Sequence, residues 1–128
     1  MSALRPSGAF SLGTAPPDAI KSPLLAGGNV VGEIEGRCIE AQFSDGQYHL
    51  LFVTWDSPYE EELTLLLLDS RGRVRDRRRM GGAWQPGMLS DIACDDGTVR
   101  FRFPRGQPHE VGVRSALLGP RLELRSAS

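Results

Sequence analysis

The sequence predicts an all-β protein: an antiparallel meander of about seven or eight strands closed as a small barrel, with a two-sheet β-sandwich as the alternative. Three observations carry this. Turn signals built on glycine recur at Ser44-Asp45-Gly46, Ser70-Arg71-Gly72, Asp95-Asp96-Gly97, Pro104-Arg105-Gly106 and Gly119-Pro120. The segments between them run about five to nine residues, the length of ordinary strands. No stretch repeats apolar residues at i, i+3, i+4 and i+7 for the length of a stable helix. The short links favour the barrel over the sandwich.

Taken in chain order, residues 1–28 differ in kind from the rest. Pro6, Pro16, Pro17 and Pro23 lie among Gly, Ser and Ala without periodicity, which reads as a flexible N-terminal arm. Its apolar residues Phe10, Leu12, Ile20, Leu24 and Leu25 allow part of it to pack onto the body. Residues 29–128 read as a single barrel-like domain. In VVGEIEGRCIEAQF, Ile34, Gly36 and Cys38 share one phase, whereas Ile39, Ala41 and Phe43 share the other. A one-residue phase change is what a β-bulge produces, and Gly32 and Gly36 permit a sharp bend that closes a sheet or moves the chain between two sheets.

QYHLLFVTW and LTLLLLD are apolar on both faces, so these central strands need an outer cover as well as a core. The candidates are the N-terminal arm and a second copy of the chain. TVRFRF and RLELR alternate strictly. Val99, Phe101, Phe103, Leu122 and Leu124 fall on inner faces, and Arg100, Arg102, Arg121, Glu123 and Arg125 on outer ones. Two longer connections interrupt the rhythm, DSPYEEE (56–62) and GGAWQPG (81–87). The first offers a single helical turn over 57–62, with Ser57 as cap and Pro58 as first residue. The outline is similar to that of calycin-like barrels, as architecture alone.

Composition excludes several functions. The 128 residues carry a net charge of −1, and arginine supplies fourteen of the fifteen basic side chains, with Lys21 the only lysine. No global field draws such a chain to nucleic acid or to acidic membranes. Cys38 and Cys94, with His49 and His109, have no zinc-ligand spacing. They are expected as lone thiols. The N-terminus lacks the apolar core of a signal peptide. The longest aliphatic run, Leu65 to Leu68, is too short to span a bilayer. A cytoplasmic, bacterial-type protein with no membrane association and no cofactor is the expectation.

Catalytic signatures are equally sparse. There is no G-x-S-x-G, P-loop or dinucleotide fingerprint. His49 lies in a strand apolar on both sides and is expected to be packed and hydrogen-bonded. His109 follows the Pro104-Arg105-Gly106 turn and is expected to be exposed at a strand end. Asp56, Glu60, Glu61 and Glu62 crowd one connection, and Asp91, Asp95 and Asp96 another, without calcium-loop spacing. Asp56 beside Trp55 is the acid best placed for hydrolytic or isomerase chemistry, the least favoured reading.

Two binding surfaces remain. Trp55, Tyr59 and Trp84, carried by the longer loops, could line the mouth of a barrel, with Arg78 holding a small, anionic ligand. RGRVRDRRRM (71–80) carries six arginines before Met80. As a strand, it divides into Arg75, Arg77 and Arg79 on one face and Val74, Asp76, Arg78 and Met80 on the other. Hairpin pairing with LTLLLLD folds Glu60, Glu61 and Glu62 back beside Arg77 to Arg79, which argues against nucleic-acid binding. The stripe Arg75, Arg77 and Arg79, with Arg100 and Arg102 on a nearby strand, could meet an acidic partner. The function expected first is therefore a non-enzymatic β-domain acting through protein contact, as a homo-oligomer or with a partner protein. The alternative is a small-ligand-binding barrel.

Overall fold

Strands account for every regular element in a computed structural model that describes residues 3–55, 62–81, 88–95 and 97–127. The largest sheet has five strands in the order β1 (Arg5–Pro6), β5 (Cys38–Ser44), β6 (His49–Thr54), β7 (Glu62–Leu68) and β8 (Val74–Gly81). A four-stranded sheet follows the order β12 (Gly119–Ser126), β11 (Pro108–Ala116), β10 (Thr98–Arg102) and β9 (Ser90–Asp95). The third sheet joins β2 (Phe10–Leu12), β3 (Lys21–Ala26) and β4 (Asn29–Glu35). All pairings are antiparallel.

The two dry faces of β6 and β7 place the five-stranded sheet between the other two. On one face Leu50, Phe52, Leu63, Leu65 and Leu67 pack with Val99, Phe101, Phe103, Val111 and Leu122 of the four-stranded side. Phe52 sits at the centre, edge-on to Phe43 at 5.9 Å and to Phe101 at 5.1 Å between ring centroids. On the other face Leu51, Val53, Leu66 and Leu68 pack with Phe10, Leu24 and Ile34. The cover required by that second face is thus supplied by the chain itself. Residues 1–28, expected as an arm, contribute β1, β2 and β3. The boundary expected at residue 28 falls in the turn between β3 and β4, whose Ala26 and Asn29 are partners in one sheet.

The long bent strand expected over 30–43 is two strands in two sheets, β4 and β5, with Gly36 and Arg37 between them. Its phase change comes at Glu40, where the β5–β6 register shifts between Ile39 and Ala41. Ile39 accordingly packs with the Leu51 face and Ala41 with the Phe52 face. The helical turn expected over 57–62 lies outside the described residues except for Glu62, which opens β7.

The expected all-β, antiparallel class is found, but no closed barrel is found among the described residues; where the sheets meet, side chains bond to backbone groups across the seams. At the β8–β12 seam, the Asp76 carboxylate accepts from the Leu122 N–H at 2.8 Å and the Arg121 guanidinium donates to the Arg75 carbonyl at 3.4 Å. At the opposite seam, the Cys94 thiol donates to the Leu4 carbonyl at 3.3 Å. The third sheet is fastened in the same way, since the Gln42 amide donates to the Phe10 carbonyl (2.8 Å) and accepts from its N–H (3.0 Å). These contacts satisfy exposed edge groups without a continuing strand. Among the described residues no helix is long and apolar enough to cross a membrane.

Candidate functional site

The arginine-rich hairpin starts from a single carboxylate. Asp69 Oδ1 accepts from the N–H groups of Arg71 (2.9 Å) and Arg73 (3.0 Å), and this closes the β7–β8 turn. Burial works against the Asp69 charge, but the Arg73 and Arg71 N–H groups and the Arg73 and Arg75 guanidinium groups outweigh it and hold the carboxyl below the ordinary range. Beyond the turn the register shifts between Leu67 and Leu68, leaving Arg75 as the extra residue of a bulge. Arg75 reaches Asp69 at 3.9 Å.

From there the strand period sorts the charges. Asp76, Arg78 and Met80 lie opposite Leu67, Leu65 and Leu63, on the face turned to the four-stranded sheet. Arg77 and Arg79 lie opposite Leu66 and Thr64, on the face turned to the three-stranded sheet. Arg79 donates to Glu35 of β4 at 2.7 Å, and Glu62 stands 4.0 Å away. Of the three glutamates expected to answer the arginines, Glu62 therefore contributes only a long contact, while Glu60 and Glu61 lie outside the described residues. Arg77 and Arg78 are exposed and form no ion pair among the described residues.

Arg100 and Arg102 do not join this stripe. They occupy the outer face of β10, two strands inward from the seam with β8. Arg100 pairs with Glu110 at 3.5 Å and Asp95 at 3.7 Å, and Arg102 with Asp91 at 3.3 Å. Together with Arg125, Glu123 and Arg114 they make an exposed charge lattice. Each such pair is worth about 0–1 kcal/mol, so this face reads as solvated surface. Of the barrel-mouth set, only Trp55 and Arg78 are among the described residues. Trp55 is half-buried at the end of β6, and β7 lies between β6 and the strand carrying Arg78. Tyr59 and Trp84 lie outside the described residues.

What the structure brings together instead is Arg78, Arg114 and Arg121 around the tip of the β11–β12 hairpin. These three arginines, with Asp76, Ala116, Leu117, Leu118 and Leu122, line an open groove of about 510 Å³. The hairpin pairs as far as Ala116 with Gly119, so Leu117 and Leu118 form the two-residue loop. Gly119 adopts φ +115°, relieving the leucines of the positive φ that such a turn demands. Leu117 is 100% exposed and Leu118 81%. Each leaves unrealised roughly 1.5–3 kcal/mol that burial of a leucine would yield. The charges in the groove are unequally engaged. Asp76 accepts from the Leu122 and Arg77 N–H groups, both at 2.8 Å. Arg121 donates to the Arg75 and Pro120 carbonyls, and Arg114 faces Glu123 at 3.8 Å. The signal for this site in the sequence is a pair of leucines directly before Gly119-Pro120, where turns favour polar residues.

The remaining chemistry is packing. Among the described residues no group of three or more His, Cys, Asp and Glu side chains could hold a metal ion. His49 meets Phe10 edge-on at 4.9 Å, with Nδ1 buried and without a hydrogen-bond partner among the described residues. His109, expected at an exposed strand end, is stacked on Phe101 at 5.5 Å and its Nε2 is buried. Its place opposite Phe101 in the β10–β11 ladder explains this, because Phe101 points into the core.

Burial lowers the His49 pKa below its usual 6.5, against the raising influence of Asp45 and Asp69. The unfolded chain then binds a proton near pH 6.5 that the folded chain resists. Stability contributed by neutral His49 is complete above that pH and declines as pH falls toward the lowered value. Urea unfolding midpoints measured between pH 7.5 and 5 are expected to fall more steeply for the wild type than for His49→Gln. Parallel curves would mean that His49 adds nothing to the slope.

Comparison with known proteins finds no matching family model, no matching curated protein and no matching solved structure.

Proposed function

We propose that the chain is a non-catalytic binding domain that works by contact with another protein, using the β11–β12 hairpin tip and the groove beside it. One observation carries the reading: Leu117 and Leu118 stand fully or largely exposed beside Arg78, Arg114 and Arg121 in a single open groove. Arginine is among the side chains that dominate interface energies, and an exposed leucine pair beside it offers apolar area that contact would bury. The framework that presents them is read as a two-sheet sandwich with a third sheet laid over its outer face.

Two observations make self-association and a small-ligand barrel less favoured than this reading. The two-faced strands that suggested self-association have their cover in Phe10, Leu24 and Ile34. The small-ligand barrel needs an interior, yet the space between the two larger sheets holds Phe52, Phe101, Phe103, Leu50, Leu63, Leu65 and Leu67, each at most 1% exposed.

A photoreactive amino acid placed at position 117, with a second at position 21 on β3 as control, tests the reading in cells of the native host. A discrete adduct with another protein from position 117 alone is expected. No adduct at 117, the same adducts from both positions, or adducts only with the chain itself would overturn it.

A further inference from the structure

We infer that the partner presents an acidic segment carrying a bulky apolar side chain, the carboxylates meeting Arg78 and Arg114 while the apolar group covers Leu117 and Leu118. This rests on the protein-contact reading above and specifies its chemistry. Charge complementarity is the first ground. Among the described residues three arginines border the groove against one carboxylate, Asp76, whose oxygens are already held by the N–H groups of Leu122 and Arg77. Arg78 has no ion-pair partner among the described residues, and Arg114 has only Glu123 at 3.8 Å. Several other arginines are answered locally, as Arg79 is by Glu35 and Arg100 by Glu110, while Arg77, also without an ion pair among the described residues, lies on the opposite face of β8. With a net charge of −1 overall, the groove is a local positive site on a nearly balanced molecule. The planar guanidinium fork fits a carboxylate through two parallel N–H donors.

Other occupants fit less well. A two-fold contact between copies of this groove would set arginine against arginine. A bilayer would gain only two leucine side chains, whereas even a myristoyl chain binds membranes only marginally. A nucleic acid would find few phosphate contacts, and among the described residues no aromatic side chain lines the groove for base stacking. A segment with both carboxylates and an apolar anchor uses each feature of the groove at once.

Panning a displayed random-peptide library against the full chain tests this directly. Enrichment of peptides that combine Asp or Glu with Leu, Ile, Phe or Trp is expected. A selected peptide, made synthetically, should bind roughly tenfold or more weakly to Arg78→Glu and to the Leu117→Ser/Leu118→Ser double variant. Lys21→Glu, on the distant β3, should leave its affinity unchanged, and added salt should weaken it. All substituted side chains are exposed, so thermal midpoints should stay near that of the wild type. Enrichment of basic or uncharged peptides, or binding indifferent to both groove variants, would overturn the inference. So would variant-sensitive binding to phosphatidylserine vesicles with no peptide binding, which would assign the groove to a lipid surface. An adduct at position 117 with another protein, combined with no groove-dependent peptide, would leave the protein-contact reading intact and remove the acidic segment.

Discussion

A chain that begins at Asn29 is expected not to fold as a soluble monomer. Phe10 and Leu24 are lost with the deleted residues, and Leu51, Val53, Leu66 and Leu68 lose most of their cover. These four side chains are at most 1% exposed in the complete chain. At about 1.5–3 kcal/mol each, their burial matches the roughly 5–15 kcal/mol by which a domain is stable at all. The truncation also frees the Gln42 amide that binds both backbone groups of Phe10. The soluble yield, followed by size-exclusion chromatography with light scattering, checks this. Insoluble protein or a soluble oligomer is the expected result, the oligomer meaning that a second copy can replace the three-stranded sheet. A soluble monomer with the unfolding midpoint of the full chain would show that the cover contributes little.

That expectation bears on how far the fold was legible. The alternation of Val99, Phe101 and Phe103 with Arg100 and Arg102 marks a half-buried strand by its period alone, and β10 is that strand. The doubly apolar β6 and β7 likewise announce a sheet covered on both sides. The cover itself was harder to see as strand, because Pro23 stands in β3, the middle strand of its sheet. Proline lacks the N–H that a central strand must donate. Here the lost donor faces a position beyond the end of β2, where only the Pro23 carbonyl is used, accepting from Gly13 at 2.9 Å.

Closure was less legible for a similar reason. Whether β8 and β12 join by a ladder depends on Asp76 and Arg121 reaching backbone groups some 46 positions away in sequence, and no local pattern encodes that. The same holds for Arg79, whose nearest carboxylate among the described residues is Glu35 of the third sheet, nearer than Glu62. For Arg78 the strand phase holds, and the side chain is exposed. It shares a face with Met80, which packs on the core, but β8 is the edge strand of its sheet, and there an inward-phase side chain can reach solvent. The site thus falls where strand periodicity says least, at a sheet edge and at a hairpin tip.

Gly36→Ala is expected to be the costliest single-methyl addition among the described glycines. Gly36 is buried between β4 and β5, where the backbone leaves the three-stranded sheet for the five-stranded one. Its φ of +137° is one that residues with a Cβ rarely adopt. An added Cβ would also overlap Cγ1 of Val53, which is 1% exposed and packed in the second core. Backbone strain of about 1–3 kcal/mol and overpacking of about 1–3 kcal/mol then act at one position. The bend cannot simply relax, because its flanks are fixed: Ser22 donates to the Gly36 carbonyl at 2.6 Å and the Arg37 N–H to the Thr54 carbonyl at 2.9 Å. Gly32→Ala is the matched control, since Gly32 has no positive φ and an added Cβ meets nothing within 4 Å. Urea unfolding followed by far-ultraviolet circular dichroism should show a loss of about 2–6 kcal/mol for Gly36→Ala. For Gly32→Ala it should show no loss, or a gain of about 0.4–1 kcal/mol. Equal midpoints for the two variants would mean that the passage between sheets does not depend on glycine. A selective loss at Gly36 would establish this residue as the point on which the placement of β4, and with it the Glu35–Arg79 pair, depends.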